Sequence, residues 1–272
     1  MPLKHNHVID MKIGIIGGGN MGGAIARGLA HSNSFASSDI TVCDPGQPAL
    51  DALKTDCQGI VTSHNNIDAV AGADVIIIAV KPWLVEGVLM EIAPRVEFHR
   101  QIIVSIAAGV TTDAITSWLK GYSADGVIFR AMPNTAIAIH QSMTFLAHRG
   151  ATPGQVETVT GIFNLLGKTA VIEERLMGAA TALCSCGIAY AMRYVRAATE
   201  GGVELGIYPN QGKEYVLQTL RGAIELLEAT GNNPEVEIDK VTTPGGVTIK
   251  GLNAMESHGF TASVIEGLKA SR

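Results

Sequence analysis

Charge is scarce in this chain. Only 17% of its 272 residues are Asp, Glu, Lys or Arg, while 47% are apolar. So little surface charge for the size points to a well-buried protein with part of its surface covered by another subunit. Lys and Arg total 20 against 25 acids, a formal net charge of −5, and they form no basic cluster. That argues against nucleic acid or an anionic membrane as partner. Aromatics are few, at 5%. No apolar run approaches the ~18 residues that a membrane span needs. Cys43, Cys57, Cys184 and Cys186 form no CxxC and no Cys/His pair at zinc spacing, so no metal site is expected and a reduced, cytoplasmic protein is. Residues 1–10 lack the apolar core of a signal peptide and read as an N-terminal extension. Within it, His5 and His7 read as solvated tail residues rather than metal ligands.

The most informative run present is Lys12-Ile-Gly-Ile-Ile-Gly17-Gly-Gly19-Asn-Met-Gly22. A short apolar strand stops at a glycine turn, and a helical pattern with Ala24, Ile25 and Leu29 follows. In G-x-G-x-x-G the first glycine (Gly17) permits the tight turn. The second (Gly19) lets the backbone approach a pyrophosphate, and the third (Gly22) lets helix and strand pack closely. The pyrophosphate then sits on free N–H groups at the helix N-terminus. Glycine turns are common, but this one has its strand, its helix and an acid at the right distance. Asp44 closes the next strand, Asp39–Asp44, 22 residues beyond Gly22, where it can accept hydrogen bonds from an adenosine ribose. With no Arg or Lys in the following Pro-Gly-Gln-Pro, Asp44 predicts NAD(P)H use with a lean to NADH.

Strands alternate with helices as far as Glu173. They are expected near Ile60–Thr62, at Ala73–Val80, Gln101–Ser105 and Gly126–Arg130, and last at Ser142–Ala147. The β-branched run Ala73–Val80 reads as a strand buried on both faces of a parallel sheet. Thr112–Leu119 reads as a helix opened by a Thr-Thr-Asp cap. Beyond Glu173 only helices are legible, at Met177–Leu205, Asn210–Ala229 and Phe260–Lys269, separated by Gly-Ile-Tyr-Pro and Gly-Asn-Asn-Pro breakers. The expected architecture is α/β: a Rossmann-type doubly wound sheet over residues 11–172, then an all-α domain over 173–272. The long helices carry apolar residues on more than one face, as an interlocked homodimer requires.

Ligands of open α/β sheets bind beyond the carboxyl ends of the strands, and three loops there are unusual. Ala79-Val80-Lys81-Pro82 places a lysine at a strand end. Ser105-Ile-Ala107-Ala108-Gly109 is small and apolar, suited to lying against a planar ring. Arg130-Ala-Met-Pro-Asn134-Thr135 puts polar groups at another strand end. An ordinary βα turn explains any one of them; all three together favour a site.

The motifs Gly-Gly-Gly-Asn-Met-Gly, Ala-Val-Lys-Pro, Ser-Ile-Ala-Ala-Gly-Val, Arg-Ala-Met-Pro-Asn-Thr and Val-Thr-Thr-Pro-Gly-Gly-Val-Thr-Ile occur in that order. In this the chain resembles the pyrroline-5-carboxylate reductase family, from Met11 to about Leu268. The resemblance implies an NAD(P)H-binding domain and a helical dimerisation domain, with active sites shared between subunits. It also implies reduction of the cyclic imine 1-pyrroline-5-carboxylate to L-proline, the last step of proline synthesis. Some members assemble five dimers into a decamer. By resemblance, Gly17, Gly19, Asn20, Met21 and Gly22 form the dinucleotide loop, and Asn66 is an adenine-side asparagine. Ala79, Val80, Lys81 and Pro82, with Ala107, Ala108 and Gly109, are nicotinamide-side loops. The loop Thr243-Pro-Gly245-Gly246-Val247-Thr248 holds the substrate carboxylate on backbone N–H groups, with Thr248 beside the reacting nitrogen. A glycine pair opening a helix suits a carboxylate nest. Asn134 and Cys186 are further substrate-side positions.

Two departures from the family pattern stand out. Its Ser-Gly-Ser-Gly-Pro-Ala-Tyr is Cys184-Ser-Cys186-Gly-Ile188-Ala-Tyr190 here, and Ala136 stands where a proline is usual. A thiol is a weaker hydrogen-bond donor than a hydroxyl, so the substrate is put in doubt more than the reaction. A sister reductase for another cyclic imine, or a catalytically silent dinucleotide-binding regulator, remain alternatives. Retention of Thr248 and its loop argues against the regulator. Lys81 is expected to serve the cofactor or a helix cap rather than to act as a general acid.

Overall fold

The computed structural model describes residues 10–123 and 126–272. The expected N-terminal extension, with His5 and His7, lies outside the described residues except for Asp10.

Eight strands form one sheet in the order β3-β2-β1-β4-β5-β6-β7-β8. They are β1 Ile13–Ile16, β2 Ile40–Cys43, β3 Val61–Ser63, β4 Val75–Ile78, β5 Ile102–Ser105, β6 Ile128–Met132, β7 Ser142–Arg149 and β8 Gly167–Val171. Strands β1 to β6 are mutually parallel, β7 runs antiparallel to β6, and β8 runs parallel to β7.

Successive side chains on the central strands go to opposite faces, and each face has its own core. Ile13, Ile15, Val75, Ile77, Ile102 and Val104 meet helices α1 (Asn20–Ala30), α2 (Gln47–Asp56) and α6 (Pro153–Asn164). The alternate residues Ile16, Ile76, Ile78 and Ile103 meet α3 (Asn66–Val70), α4 (Val85–Ile92) and α5 (Thr112–Leu119). This is the doubly wound arrangement, and its switch point falls between β1 and β4, which leave the centre in opposite directions. Helix α5 begins where expected, with the Thr111 hydroxyl accepting from the Ala114 N–H at 3.1 Å.

The sequence reading missed β8. Its five residues, Gly-Lys-Thr-Ala-Val, are all at least partly exposed, so it has neither the apolar run of a buried strand nor a clean alternation. Pairing with β7 creates it. Of the expected strand Ala73–Val80, only Val75–Ile78 is strand, and Ala79 and Val80 belong to the loop that follows.

The chain divides into two compact units at Ser185/Cys186. The first carries α7 (Met177–Ala180), whose Met177 is buried with Met132 and Ala147 beside the sheet. The expected single helix Met177–Leu205 is α7, a π turn over Thr181–Cys186, and α8 (Gly187–Glu204). A π turn takes up one extra residue without ending a helix, so the apolar pattern runs through it unmarked. The second unit continues with α9 (Pro209–Thr230), α10 (Pro234–Lys240), α11 (Val247–Ser257) and α12 (Phe260–Ala270).

That helical unit has almost no core of its own. Helices α8, α10, α11 and α12 bury no residue, and α9 buries only Gly212. Leu205 is 85% exposed and Tyr208 77% exposed. One finding runs against the sequence reading: the helical run Glu174–Glu204, 31 residues, is long and apolar enough by length and composition to cross a membrane. The same run carries Arg193, Arg196 and Glu200, the last two ion-paired at 3.0 Å.

Candidate active site

A cavity of about 1250 Å³ opens along the carboxyl ends of the parallel strands, lined by Ile16, Cys43, Ala79, Ile106 and Met132 where β1, β2, β4, β5 and β6 end. Its floor is the glycine loop. Gly17, Gly19, Asn20 and Met21 line it, while Gly22 lies buried beneath. A Cβ on Gly22 would fall 1.9 Å from the Gly17 carbonyl oxygen and 2.9 Å from Ala79 Cβ, whereas one on Gly19 would meet nothing within 4 Å. Gly22 is therefore needed by the protein's own packing, and Gly19 borders open space that a ligand can enter. No side chain caps α1, whose N-cap is Gly19, so its first N–H groups remain available to an anion. These features fit a dinucleotide pyrophosphate.

Asp44 lines the cavity and turns onto this loop. One carboxylate oxygen accepts from the Gly18 N–H and the other from the Gly46 N–H, both at 2.7 Å. His64, which the sequence reading overlooked, stands beside it. Its Nδ1 lies 2.9 Å from the Asp44 carbonyl and its Nε2 2.8 Å from Gln47 Oε1. The same strand-end rule that singled out the other loops points to His64, because β3 ends at Ser63.

Asn66 lines the cavity and donates to Glu91 at 2.9 Å. Val80, Lys81 and Pro82 form the rim with Trp83, a 77% exposed indole in a chain with two tryptophans. Lys81 has no ion pair among the described residues. Ala107 and Ala108 line the cavity; Gly109, at φ +78°, does not. Asn134 is turned into the protein, its Oδ1 accepting from the Ala136 N–H at 3.0 Å and its Nδ2 donating to the Cys184 carbonyl at 3.4 Å. Its neighbours Pro133 and Thr135 line the cavity instead. Burial pushes the thiol of buried Cys43 up to about 11 and raises that of half-buried Cys184, which suits packing groups rather than reactive thiolates.

The other expected substrate residues lie on the helical unit. Cys186 opens it, and the Thr243–Thr248 loop leads into α11 with Gly245 at φ +72° and Gly246 as an N-cap without a side-chain bond. The Gly246 N–H is already spent on the Thr243 carbonyl at 2.9 Å. Of the expected nest, the Val247 and Thr248 N–H groups, at the helix start, carry no such bond among the described residues. Thr199, Thr219, Thr230 and Thr242 turn their hydroxyls back to the carbonyl four residues earlier. The Thr248 hydroxyl has no hydrogen bond among the described residues and is free for a ligand.

Comparisons with known proteins join the two halves. Residues 174–272 match the family model for pyrroline-5-carboxylate reductase dimerisation. Residues 12–109 match that for coenzyme F420-dependent NADP oxidoreductase. The chain is 39% identical to pyrroline-5-carboxylate reductase 1 of Dictyostelium discoideum, covering 96% of itself but only 49% of that longer protein. It is 35% identical to reductase 2 of the same organism, over 99% of itself and 92% of the relative. A crystal structure of pyrroline carboxylate reductase from Plasmodium falciparum, with NADP bound, aligns with a TM-score of 0.86 at 25% identity, over 96% of this chain and 95% of that one. With both segments matched and near-complete coverage of a relative of its own size, the chain belongs to the pyrroline-5-carboxylate reductase family.

Proposed function

We propose that the chain catalyses the reaction for which its relatives are named, reducing the cyclic imine 1-pyrroline-5-carboxylate to L-proline. The observation that carries this is the occurrence, in one chain, of a dinucleotide cradle and an uncapped α11 start beside a free Thr248 hydroxyl. NAD(P)H, when bound, supplies the hydride. The protein's share is placement. In the helical unit, Val247 and Thr248 N–H groups anchor the substrate carboxylate and the Thr248 hydroxyl bonds the ring nitrogen; in the sheet unit, the apolar Ile106–Ala108 loop lies against the planar ring of the cofactor and keeps water from it. A protonated imine is already electrophilic at its carbon, so no paired carboxylates or His/Asp dyad are required. Lys81 serves the cofactor at the cavity rim. Purified protein should oxidise NADH or NADPH with pyrroline-5-carboxylate. Turnover only with some other cyclic imine would establish the sister-reductase reading, which the Cys184-Ser-Cys186-Gly-Ile188 segment favours. Cofactor binding with no imine turnover would point to the regulator.

For the cofactor, NADH should serve at least as well as NADPH. Asp44 keeps a negative charge at the cavity, and Pro45-Gly46-Gln47-Pro48 brings no cation to a 2′-phosphate. Asp44→Ala should raise the NADPH/NADH ratio of kcat/KM by about tenfold, about 1.4 kcal/mol. Loss of its two backbone bonds should also cost about 1–3 kcal/mol of stability. Kinetics with a strong NADPH preference that Asp44→Ala leaves unchanged would sink this reading.

The coreless helical unit is completed by a second copy, giving a homodimer that can build the family's larger ring. Covering Leu205, Tyr208, Met192 and Ile224 removes apolar surface too extensive for a monomer. This also explains the membrane-like composition of Glu174–Glu204 without a membrane. Light scattering should give twice the chain mass or a multiple of it, and a stable, active monomer at micromolar concentration would overturn the assignment.

A further inference from the structure

We propose that Glu174 is a positioning residue that holds the ring-side loop of the cavity in place. This rests on the functional reading above for its effect on catalysis, though not for its geometry. Glu174 follows β8 and is the first residue of the matched dimerisation segment, yet its side chain is bound into the sheet unit. One carboxylate oxygen accepts from the Thr112 N–H at 2.8 Å and from Arg130 Nη1 at 3.4 Å, and the other from the Thr112 hydroxyl. Thr112 is the first residue of α5, so the anion also sits where the helix dipole favours it.

The partner cation is under strong constraint. Arg130, in the middle of β6, is 7% exposed, and its Nε is buried without a hydrogen-bond partner among the described residues. Glu174 is the only counter-charge bonded to it among those residues, and a buried guanidinium stripped of its partner is strongly disfavoured. The carboxylate is thus pinned from one side by β6 and pins α5 from the other.

Between β5 and Thr112 lie Ile106, Ala107 and Ala108, which line the cavity, and Gly109, Val110 and Thr111, which do not. The loop is held at its start by Ser105, in β5, whose hydroxyl accepts from the Ala107 N–H at 3.3 Å. Its far end is held by Glu174. A loop anchored at both ends keeps a fixed depth against a planar ring, and a misplacement of about 1 Å between reacting groups can cost on the order of a hundredfold in rate. Cofactor binding, spread over the glycine loop and Asp44, depends much less on this contact.

The test uses Glu174→Ala and, because that variant strips Arg130 of its partner and can fail to fold, Thr112→Val, which removes only the hydroxyl. In both, kcat should fall about tenfold with the cofactor KM nearly unchanged. The isotope effect from cofactor deuterated at the transferred hydrogen should grow, and Glu174→Asp should recover part of the rate. In unliganded protein, hydrogen exchange at Ala107, Ala108 and Gly109 should quicken. Lower melting temperature with wild-type kcat, isotope effect and loop exchange per folded subunit would overturn the proposal. If the wild type turns over no imine, the functional reading fails by itself and the exchange experiment still decides the clamp.

Discussion

Gly19→Ala should lose cofactor affinity by about a hundredfold, about 2.7 kcal/mol, while melting within a degree or two of the parent. The added methyl meets no protein atom within 4 Å, and the backbone at φ −66° and ψ −161° is open to alanine. At the N-cap, alanine is poorer than glycine by a few tenths to about 1 kcal/mol. The stiffer unfolded chain returns about 0.4–1 kcal/mol, so the two nearly cancel. What the methyl does obstruct is the approach of a pyrophosphate to the loop. Gly22→Ala is the contrasting case. Its methyl overlaps the Gly17 carbonyl, so the loop must shift and both affinity and stability should fall, stability by about 1–3 kcal/mol. Titration with NADH and calorimetry on both variants separate the effects. Normal binding by Gly19→Ala would remove the pyrophosphate from this loop.

Thr248→Ala should lower turnover about a hundredfold, with cofactor affinity and melting temperature nearly unchanged. Its hydroxyl bonds nothing among the described residues, so its removal leaves no partner stranded, and Thr248→Ser should restore much of the rate. Gly246→Val is a less discriminating probe. A Cβ there falls 2.6 Å from Thr243 Oγ1 and 3.0 Å from the Thr243 carbonyl oxygen, so the variant deforms its own turn while raising the substrate KM. If Thr-Pro-Gly-Gly merely opened a helix, every variant would lose stability and the surviving folded enzyme would work normally. Wild-type turnover in folded Thr248→Ala protein would end the assignment of that residue.

Local chemistry made a large part of this protein legible from sequence. The glycine turn, its strand and helix, the buried β4 run and the Thr-capped α5 depend on contacts a few residues apart, where side-chain period and backbone freedom dominate. The order of an α/β part before a helical one follows from the same signals. Other features exist only through distant pairings. Strand β8 is a strand because β7 is beside it. The π turn leaves no mark on the apolar pattern of its helix. Asp44 was readable as a strand-end acid, but its double hold on Gly18 and Gly46 was not. The sequence equally hid that the Gly246 N–H is spent and that Asn134 faces inward. Arg130 and Glu174 stand 44 residues apart, and nothing near either predicts their bond. Sequence by itself determined the glycine loop, its flanking strand and helix, the buried β4 run and the start of α5, because those are encoded within one turn or strand. Tertiary structure alone decided which polar groups are satisfied internally and which stay free for ligands, because that depends on partners brought together from across the sheet.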